Sequence, residues 1–295
     1  MQTGRKKILF VVNPISGGLN KKKLPELIAR NLDPKVFIPE LFYTSLTLNA
    51  REITLKAIEE KFDIVIAAGG DGTMNAVAQC LVNTDIIMGI LPLGSGNGLA
   101  RHLHIPLKVK DAIAFINKLS HRRIDTIRIN GQYSVNCIGM GFDAFVAYHF
   151  SKLPKRGLKT YVTTTMKHFK NYHRQLYKLD IDGVEFKGKA AIVTFANSSQ
   201  WGNNFYIASM ADIADGKIDV TIIRHLNYRN ILQLAYRLIS KTIHRSSQAI
   251  TFKAEKINII LEENTPLHID GEPMLVKGNN TIEIVPSSLN ILCDL

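Results

Sequence analysis

Three glycine-rich stretches contain the residues of this sequence that could hold a phosphate group, and each follows a short apolar run. They are Asn13-Pro14-Ile15-Ser16-Gly17-Gly18, Gly69-Gly70-Asp71-Gly72-Thr73 and Gly94-Ser95-Gly96-Asn97. Glycine lets a backbone approach a ligand closely and turn through positive φ. A helix that begins after such a turn offers N–H groups and the positive end of its dipole to an anion. The pattern therefore indicates binding of a phosphorylated ligand.

The central stretch also carries an acid. Asp71 lies between glycines and cannot bind phosphate itself, but a carboxylate there could hold a magnesium ion directly or through water. Thr73 is predicted to cap a helix over Met74–Leu81. The alternative interpretation is a tight turn between two packed elements.

The elements around these stretches predict an α/β domain over residues 1–124. The apolar runs Ile8–Val12, Phe37–Tyr43, Phe62–Ala68 and Ile86–Leu91 are typical of buried strands, and helical patterns separate them. Strands that alternate with helices predict a parallel sheet with right-handed crossovers. Turns after such strands lie at one edge of the sheet, so the three stretches should meet in a phosphate-binding crevice.

Strand-like runs dominate from residue 125 onward and predict an antiparallel, β-rich sandwich domain over residues 125–295. Asn130-Gly131 and Asp182-Gly183 are hairpin signals. Two helical inserts, Thr160–Arg174 and Arg229–His244, are predicted to interrupt the strands. A return of the extreme C-terminus to the first domain stays open.

Composition favours a globular protein without a membrane span. The chain has 295 residues, 46% of them hydrophobic and 21% charged. No apolar run approaches the roughly 18 residues that cross a bilayer. Three scattered cysteines make a disulfide framework improbable, which favours a reducing cytoplasm.

The net charge of +12 is concentrated in two blocks that contain no acid, residues 144–179 and 220–254. The bases of the first are Lys152, Lys155, Arg156, Lys159, Lys167, Lys170, Arg174 and Lys178, and those of the second are Arg224, Arg229, Arg237, Lys241, Arg245 and Lys253. Such blocks suggest an anionic membrane surface or a nucleic acid as partner. The bases are not interleaved with a stacking aromatic motif, so we expect peripheral membrane binding and no nucleic acid, with a basic nucleic-acid-binding protein as a further alternative.

Two later stretches complete a pattern that can be recognised. Together with the glycine-rich stretches, Asp212-Ile213-Ala214-Asp215-Gly216-Lys217-Ile218-Asp219 and Ile269-Asp270-Gly271-Glu272 resemble the diacylglycerol kinase catalytic-domain superfamily, which includes bacterial lipid kinases and sphingosine kinases. The resemblance covers nearly the whole chain. It implies ATP-dependent, magnesium-dependent phosphorylation of a lipid hydroxyl, with a nucleotide domain, a β-rich lipid domain and the site between them.

The resemblance and the glycine turns together assign residues to roles. Nucleotide binding is assigned to Asn13, Pro14, Ser16, Gly17, Thr44, Gly69, Gly70, Asp71, Gly72, Thr73, Asn75, Ser95 and Asn97. Asp212, Asp215 and Lys217 resemble the structural metal site of the family, in which a carboxylate and backbone carbonyls bind magnesium. Glu272 matches the proposed proton acceptor of the family, with Asp270 as second candidate, and Asp71 is the third catalytic candidate. An Asp-Gly-Glu sequence is alternatively an ordinary hairpin turn.

One departure leaves the substrate open. Most bacterial members have a threonine and an Asn-Asp pair where this chain has Ser95 and Asn97-Gly98, and the serine form is more similar to sphingosine kinases. The substrate is therefore expected to be diacylglycerol or a sphingoid base. A NAD kinase would explain the central glycine stretch only, and retained Asp71, Asp215 and Glu272 argue against an inactive regulator. We expect a cytoplasmic location at the inner face of the membrane, and leave a homodimer open.

Overall fold

A computed structural model describes residues 4–17, 21–153, 158–169, 172–227 and 230–294. The chain forms two compact units. The first consists of Met1–Ile124 together with Ser287–Leu295, and the second of Asp125–Pro286. Gly18 of the first glycine-rich stretch, and Lys155, Arg156, Lys170 and Arg229 of the basic blocks, lie outside the described residues.

The first unit is built on a parallel sheet. Its elements are β1 (Lys6–Val12), α1 (Leu24–Asn31), β2 (Phe37–Tyr43), α2 (Ala50–Glu59), β3 (Ile64–Gly69), α3 (Asp71–Leu81), β4 (Ile87–Pro92), α4 (Gly98–His102) and α5 (Val109–Ile116). The strand order is β2-β1-β3-β4, and Ile291 near the C-terminus adds a parallel pairing beside Met88 of β4. The predicted parallel α/β architecture is confirmed.

The order of these strands determines where a ligand can bind. Strand β2 lies on one side of β1, and β3 and β4 lie on the other. The direction in which successive strands are added therefore reverses between β1 and β3. Strands β3 and β4 are buried along their whole length, and so are the last five residues of β1. Because their apolar side chains are buried in the sheet, these strands hold the turns that follow them at the carboxyl edge of the sheet. In parallel sheets a crevice opens beyond the carboxyl ends of the strands at such a reversal.

The second unit is mainly antiparallel. Its elements are β5 (His121–Ile129), β6 (Gln132–Ser134), β7 (Cys137–Gly141), α6 (Phe142–Ser151), α7 (Leu158–Phe169), β8 (Gln175–Ile181), β9 (Val184–Ala190), β10 (Ile192–Ala196), β11 (Ile218–Ile223), α8 (Ile231–Ile239), β12 (Ala249–Ala254), β13 (Lys256–Ile269) and β14 (Glu272–Leu292). The order β12-β11-β10-β7-β13-β14 forms its main sheet, and β8 joins β13 and β9. The predicted β-rich sandwich-like unit is confirmed.

Two hydrophobic clusters lie on the two faces of this sheet. On β10, Val193 and Phe195 point into a core among the strands, whereas Ile192 and Ala196 point into a second cluster that includes the inner sides of α6 and α8. This alternation follows the two-residue period of a strand. The strands therefore carry a strand-lined core on one face and a helical layer on the other.

The predicted hairpins at Asn130-Gly131 and Asp182-Gly183 are confirmed, with positive φ at both residues of each turn. Helix α6 was not predicted, because its apolar residues lie on most sides and leave no amphipathic period. Within the described residues, the first predicted insert overlaps the α-helix Leu158–Phe169, and the second contains the α-helix Ile231–Ile239 and overlaps a 3-10 turn over Ile243–Arg245. Among the described helices, none is long and apolar enough to cross a bilayer.

Candidate active site

Asp71 ties the second glycine turn to the third. Its Oδ2 accepts a hydrogen bond from the backbone N–H of Asn97 at 3.0 Å, and its Oδ1 accepts one from Gly98 at 2.9 Å. A Cβ on Gly96 would lie 2.7 Å from Asp71 Oδ2, so this approach requires glycine. The Asp71 carboxylate therefore holds the turn after β4 against the start of α3.

The third turn is also fixed from within. The Asn97 side chain accepts from the Gly94 N–H at 3.1 Å and donates to the Gly94 carbonyl at 2.8 Å. Asn97 itself has a φ of 51°, a left-handed conformation that asparagine tolerates better than most residues. Ser95 lies exposed at the tip of this closed loop. The loop is thus preorganised, and its serine faces solvent.

The first glycine turn joins the same edge of the sheet. The Asn13 amide donates to Thr73 Oγ1 at 3.3 Å, and its carbonyl oxygen accepts from the Ile15 N–H at 3.1 Å. Gly17 has a φ of 56°, and a Cβ there would lie 1.9 Å from the Leu93 carbonyl oxygen. The three glycine-rich turns predicted to meet are therefore in contact through Asn13, Gly17 and Asp71.

The start of α3 differs from the prediction. The helix begins at Asp71 with Gly70 as its N-cap, so Thr73 lies inside the first turn and is not the cap. The early start leaves the first N–H groups of α3 without partners inside the helix, as at every helix start. These groups, at the carboxyl end of β3, are the element best suited to a phosphate.

The remaining predicted nucleotide-binding residues surround these turns. Pro14 and Ser16 belong to the exposed first turn, and Ser16 Oγ donates to the Asn13 carbonyl at 2.9 Å. Thr44 follows β2 and donates its backbone N–H to the Val12 carbonyl at 2.9 Å. Asn75 is buried on α3, and its side-chain oxygen accepts from the Gln79 amide at 3.3 Å.

Lys21 is a residue of this region that the sequence interpretation missed. Its ammonium group donates to the carbonyl of Ser16, and the residue is only 7% exposed. Burial lowers the pKa of Lys21 from its usual value. The run of three lysines immediately after the first glycine turn was the signal that could have identified it.

In the second unit, Asp270 is a buried anchor. Its Oδ1 accepts from Ser134 Oγ at 2.5 Å and from the N–H groups of Asn136 and Cys137 at 3.0 and 2.9 Å, and its Oδ2 accepts from the Val135 N–H at 3.0 Å. A carboxylate that holds four donors fixes a loop. This arrangement makes Asp270 a structural residue and a poor candidate for the proton acceptor.

We expect Asp270→Asn to destabilise the protein by about 2–4 kcal/mol, because an amide nitrogen would face hydrogen-bond donors in a buried site. Urea denaturation measures this change. Asp180→Asn is the control, since Asp180 is solvent-accessible and accepts only one backbone N–H, that of Gly183, and one side-chain amide, that of Asn258, among the hydrogen bonds described. Equal stability of the Asp270→Asn protein and wild type would contradict the structural role.

Glu272 is exposed, whereas Asp270 is buried. It is the first residue of β14, its side chain is exposed, and among the described residues no hydrogen-bond partner holds its carboxylate. Asp270 and Gly271 form the two-residue turn before it, with φ values of 50° and 88°. The hairpin-turn interpretation of Asp-Gly-Glu is therefore correct for the backbone, and it leaves Glu272 as an accessible carboxylate at a fixed position.

A buried His268–Asp143 pair lies beside the same turn. His268 Nε2 is 3.3 Å from Asp143 Oδ2, and its Nδ1 accepts from the Gly271 N–H at 3.3 Å. The accepted bond at Nδ1 places the ring proton of a neutral imidazole on Nε2, where it faces the carboxylate. A Cβ on Gly139 would lie 2.2 Å from His268 Nε2 and 2.4 Å from Asp143 Oδ2. The pair therefore occupies the space that a glycine on β7 provides.

Gly139→Ala is expected to destabilise the protein by about 1–3 kcal/mol, because its methyl group would displace two buried polar side chains. Thermal or chemical unfolding measures the change. Gly188→Ala on β9 is the control, since its nearest heavy atom would be a Phe186 ring carbon at 3.3 Å. A fully stable Gly139→Ala protein would show that the pair can move at no cost.

Residues 7–129 match the family described as "Diacylglycerol kinase catalytic domain". Residues 136–293 match the family described as "YegS C-terminal NAD kinase beta sandwich-like domain". The second match covers more than half of the chain, so the chain belongs to that family, and the first shows that it also carries a diacylglycerol kinase catalytic domain. The resemblance inferred from the five motifs is confirmed, and the chain is a member of a family of kinases.

Similar proteins align over most of this kinase. It is 27% identical over 273 residues to a protein named diacylglycerol kinase from Bacillus subtilis, an alignment that covers 90% of each chain. It is 26% identical over 278 residues to a protein of the same name from Staphylococcus carnosus, covering 91% of this chain and 89% of the other. A crystal structure described as a putative diacylglycerol kinase from Bacillus anthracis has a TM-score of 0.78 at 21% identity, covering 100% of this chain and 97% of that one. That structure shows the same fold.

At the predicted second metal site of the kinase, a lysine ammonium group pairs with the Asp215 carboxylate. Asp215 Oδ2 lies 2.5 Å from Lys253 Nζ, and Asp215 Oδ1 accepts from the Lys217 N–H at 3.0 Å. Lys217 Nζ pairs with Glu255 at 2.7 Å, and Asp212 accepts from the Ala214 N–H at 3.0 Å. The Lys253 ammonium group thus pairs with an Asp215 oxygen that a metal ion would use, so the arrangement in this structure does not fit a metal ion. The metal site at Asp215 stays a prediction.

Asp219 completes that motif. Burial raises the pKa of its carboxyl to about 6, although Lys253 lies 3.6 Å away. In the described part of the chain, Asp219 Oδ2 has no hydrogen-bond partner. Nor do the described residues contain a group of three or more His, Cys, Asp or Glu side chains placed to hold a metal. Magnesium in kinases is held by one or two carboxylates, waters and substrate phosphates. Each Asp71 oxygen accepts a neutral backbone N–H, and a carboxylate oxygen has more than one lone pair, so Asp71 can bind magnesium, or a water of the ion, while it fixes the turn.

Proposed function

We propose that this protein is an ATP-dependent lipid kinase that transfers the γ-phosphate of ATP to a hydroxyl group of a membrane lipid, with diacylglycerol as the first candidate. The observation that carries the proposal is the contact of the second and third glycine turns through Asp71 at the carboxyl ends of β3 and β4. Relatives named diacylglycerol kinase that align over 90% of the chain support the choice of lipid.

The first unit would hold the donor. Phosphoryl transfer depends mainly on positioning and on neutralising charge, which suits backbone N–H groups at the start of α3 and rigid glycine turns. Asn13 and Thr73, joined at 3.3 Å, would set the position of the first turn beside the phosphates. Asp71 is the residue that would hold magnesium, and the ion would supply neutralisation of the charge on the transferring phosphate.

The second unit would supply the proton acceptor. A lipid hydroxyl becomes a better nucleophile when a carboxylate orients it and takes its proton. Glu272 is accessible for this task, whereas Asp270 is saturated by donors from Ser134 to Cys137. The role of Asp270 in this proposal is to fix the turn that presents Glu272.

A sphingoid base is the second candidate substrate. The observation in its favour is Ser95, at the exposed tip of the third turn, since the resemblance of the sequence links the serine form to sphingosine kinases. A serine hydroxyl makes the same hydrogen bonds as threonine without the methyl group. Ser95 therefore bears on the choice of substrate more weakly than the names of the relatives do.

The proposal includes a peripheral position at the cytoplasmic face of an anionic membrane. ATP is a cytoplasmic donor, and the lipid acceptor resides in a bilayer, so the two substrates meet at that surface. The described bases of the two acid-free blocks support this location, since each base near an anionic leaflet contributes about 1 kcal/mol of attraction.

The test is product identification without a chosen acceptor. Purified protein, magnesium and ATP labelled in its γ-phosphate are incubated with a total bacterial lipid extract to which sphingosine is added, and labelled products are identified by mass. We expect label in phosphatidic acid. Label in sphingosine phosphate alone would favour the second candidate, and label in no lipid would contradict the proposal.

A further inference from the structure

Helix α8 is apolar on two opposite sides. Its inner side chains Leu234 and Leu238 are buried in the cluster that also packs against α6. Its outer side chains Leu232, Tyr236 and Ile239 are 80%, 69% and 56% exposed. A surface helix ordinarily presents polar residues opposite its buried face. Folding of this unit therefore leaves the second apolar side of α8 exposed, where it can contact a partner.

The three outer residues form one continuous stripe, called here the outer face of α8. Their spacing of four and three residues places them on one side of a helix, along its full nine-residue length. Leu234 and Leu238 fall on the other side. The stripe thus points away from the protein core, so its exposure is a property of the folded helix.

The chain just beyond the C-terminal end of α8 is basic. Lys241 and Arg245 are exposed just beyond α8, and Lys241 Nζ lies 4.5 Å from the centre of the Tyr206 ring. The sequence from residue 220 to 254 contains no Asp or Glu. An exposed apolar stripe followed by exposed bases, in a segment whose sequence has no acid, matches an anionic bilayer surface, where acyl chains lie beneath phosphate groups.

We propose that the outer face of α8 inserts among the headgroups of an anionic leaflet, with Lys241 and Arg245 on the lipid phosphates. The inference rests on the proposed function in one respect, since an acceptor lipid held in a bilayer has to be reached at its surface. Interfacial helices bury their apolar side at the boundary of headgroups and acyl chains, and tyrosine is enriched at that depth. The stripe therefore adds apolar contact to the attraction that the charges supply.

The test compares full-length variants by binding to vesicles, without ATP. The probe is a vesicle of phosphatidylglycerol and phosphatidylcholine, with pure phosphatidylcholine as the neutral reference. We expect Leu232→Ser/Tyr236→Ser/Ile239→Ser to weaken binding to anionic vesicles at least about tenfold, since three apolar side chains lose their contact with lipid. The substitutions lie on an exposed side, so circular dichroism and thermal unfolding should match wild type.

A control variant removes three exposed apolar side chains elsewhere in the unit. Val184→Ser/Ile260→Ser/Leu275→Ser alters strand residues that are 56%, 54% and 51% exposed. This control should bind anionic vesicles within about twofold of wild type, a change typical of exposed positions away from a contact. Equal losses in both triple variants would overturn the proposal, because a general effect of surface hydrophobicity would then explain the binding.

A second measurement reports insertion directly. Tyr236→Trp should show a blue-shifted emission on adding anionic vesicles, measured against wild type, whose single tryptophan is Trp201. Lys241→Glu/Arg245→Glu should weaken binding and reduce its dependence on salt. Unchanged emission of the Tyr236→Trp protein on bound vesicles would overturn insertion, and binding of the wild-type protein to neutral vesicles as tight as to anionic ones would overturn the choice of an anionic leaflet.

The design separates this inference from the proposed function. The outer-face variant should keep wild-type phosphorylation of detergent-dispersed lipid, which needs no bilayer. If no lipid is phosphorylated but the outer-face variant still loses vesicle binding, the proposed function fails and the docking face stands. If the variant converts a dimer to a monomer in sedimentation and keeps vesicle binding, the face is an interface between copies and the inference is overturned.

Discussion

Asp71→Ala is expected to reduce phosphoryl transfer by roughly 10³-fold or more, the loss seen when a positioned group that neutralises transition-state charge is removed. The alanine leaves the N–H groups of Asn97 and Gly98 without their acceptor and removes the carboxylate predicted to hold magnesium. The turn after β4 would then no longer be fixed against α3. Initial rates with saturating ATP and lipid measure the effect.

The control for this variant is Asp63→Ala. Asp63 precedes the same strand β3 at its opposite end and also accepts a backbone N–H, that of Lys7 at 2.7 Å. Its loss should leave the rate within about threefold of wild type, since surface changes away from a site have small effects. Substantial activity in a well-folded Asp71→Ala protein would show that Asp71 serves only as a turn residue.

Glu272→Gln is expected to lower turnover by roughly 10²–10⁴, the range typical of losing a general base. Glutamine keeps the volume and hydrogen-bonding capacity of the side chain but cannot accept the proton. ATP binding should be nearly unchanged, because the nucleotide is proposed to bind through the first unit. Turnover and nucleotide affinity, measured separately, distinguish these two effects.

Glu263→Gln provides the matched control, as Glu263 is an exposed carboxylate on β13, the strand paired with β14. It should retain wild-type turnover. A Glu272→Gln rate within threefold of wild type would remove the proposed base. Asp270 could not simply replace it, since its oxygens are already occupied by Ser134 and three backbone N–H groups.

Local chemistry made the glycine turns predictable from the sequence. A buried strand, a glycine turn and a helix are neighbours along the chain, so residue types and spacing suffice to infer them. The contact of Asp71 with Asn97 is different, because it depends on β3 and β4 lying side by side in register. The parallel sheet placed both turns at one edge, but which atoms would meet there could not be derived from the spacing.

The N-cap of α3 shows that the preference of a residue type for the N-cap position does not by itself locate the start of a helix. Threonine is favoured as an N-cap, but the helix begins two residues before Thr73, and Gly70 takes that position. Asp71 directs its side chain to the third turn instead of capping its own helix. A contact made 26 residues away thus determines where the helix starts.

Asp270 and Glu272 could not be separated by sequence, since both are acids beside one glycine. The donors that hold Asp270 come from residues more than 130 positions earlier in the chain. Helix α8 was similarly underdetermined. Its predicted span did not show which residues are buried, whereas the structure buries Leu234 and leaves Tyr236 exposed.

Transfer of label to a single defined lipid tests the central claim most directly. Vesicles of phosphatidylglycerol containing diacylglycerol are incubated with protein, magnesium and ATP, labelled either in the γ-phosphate or in the α-phosphate, and the organic phase is counted. We expect label in phosphatidic acid from γ-labelled ATP only, and none with the Asp71→Ala protein. Label that stays in the aqueous phase with diacylglycerol, and again when sphingosine replaces it, would contradict the assignment of this protein as a lipid kinase.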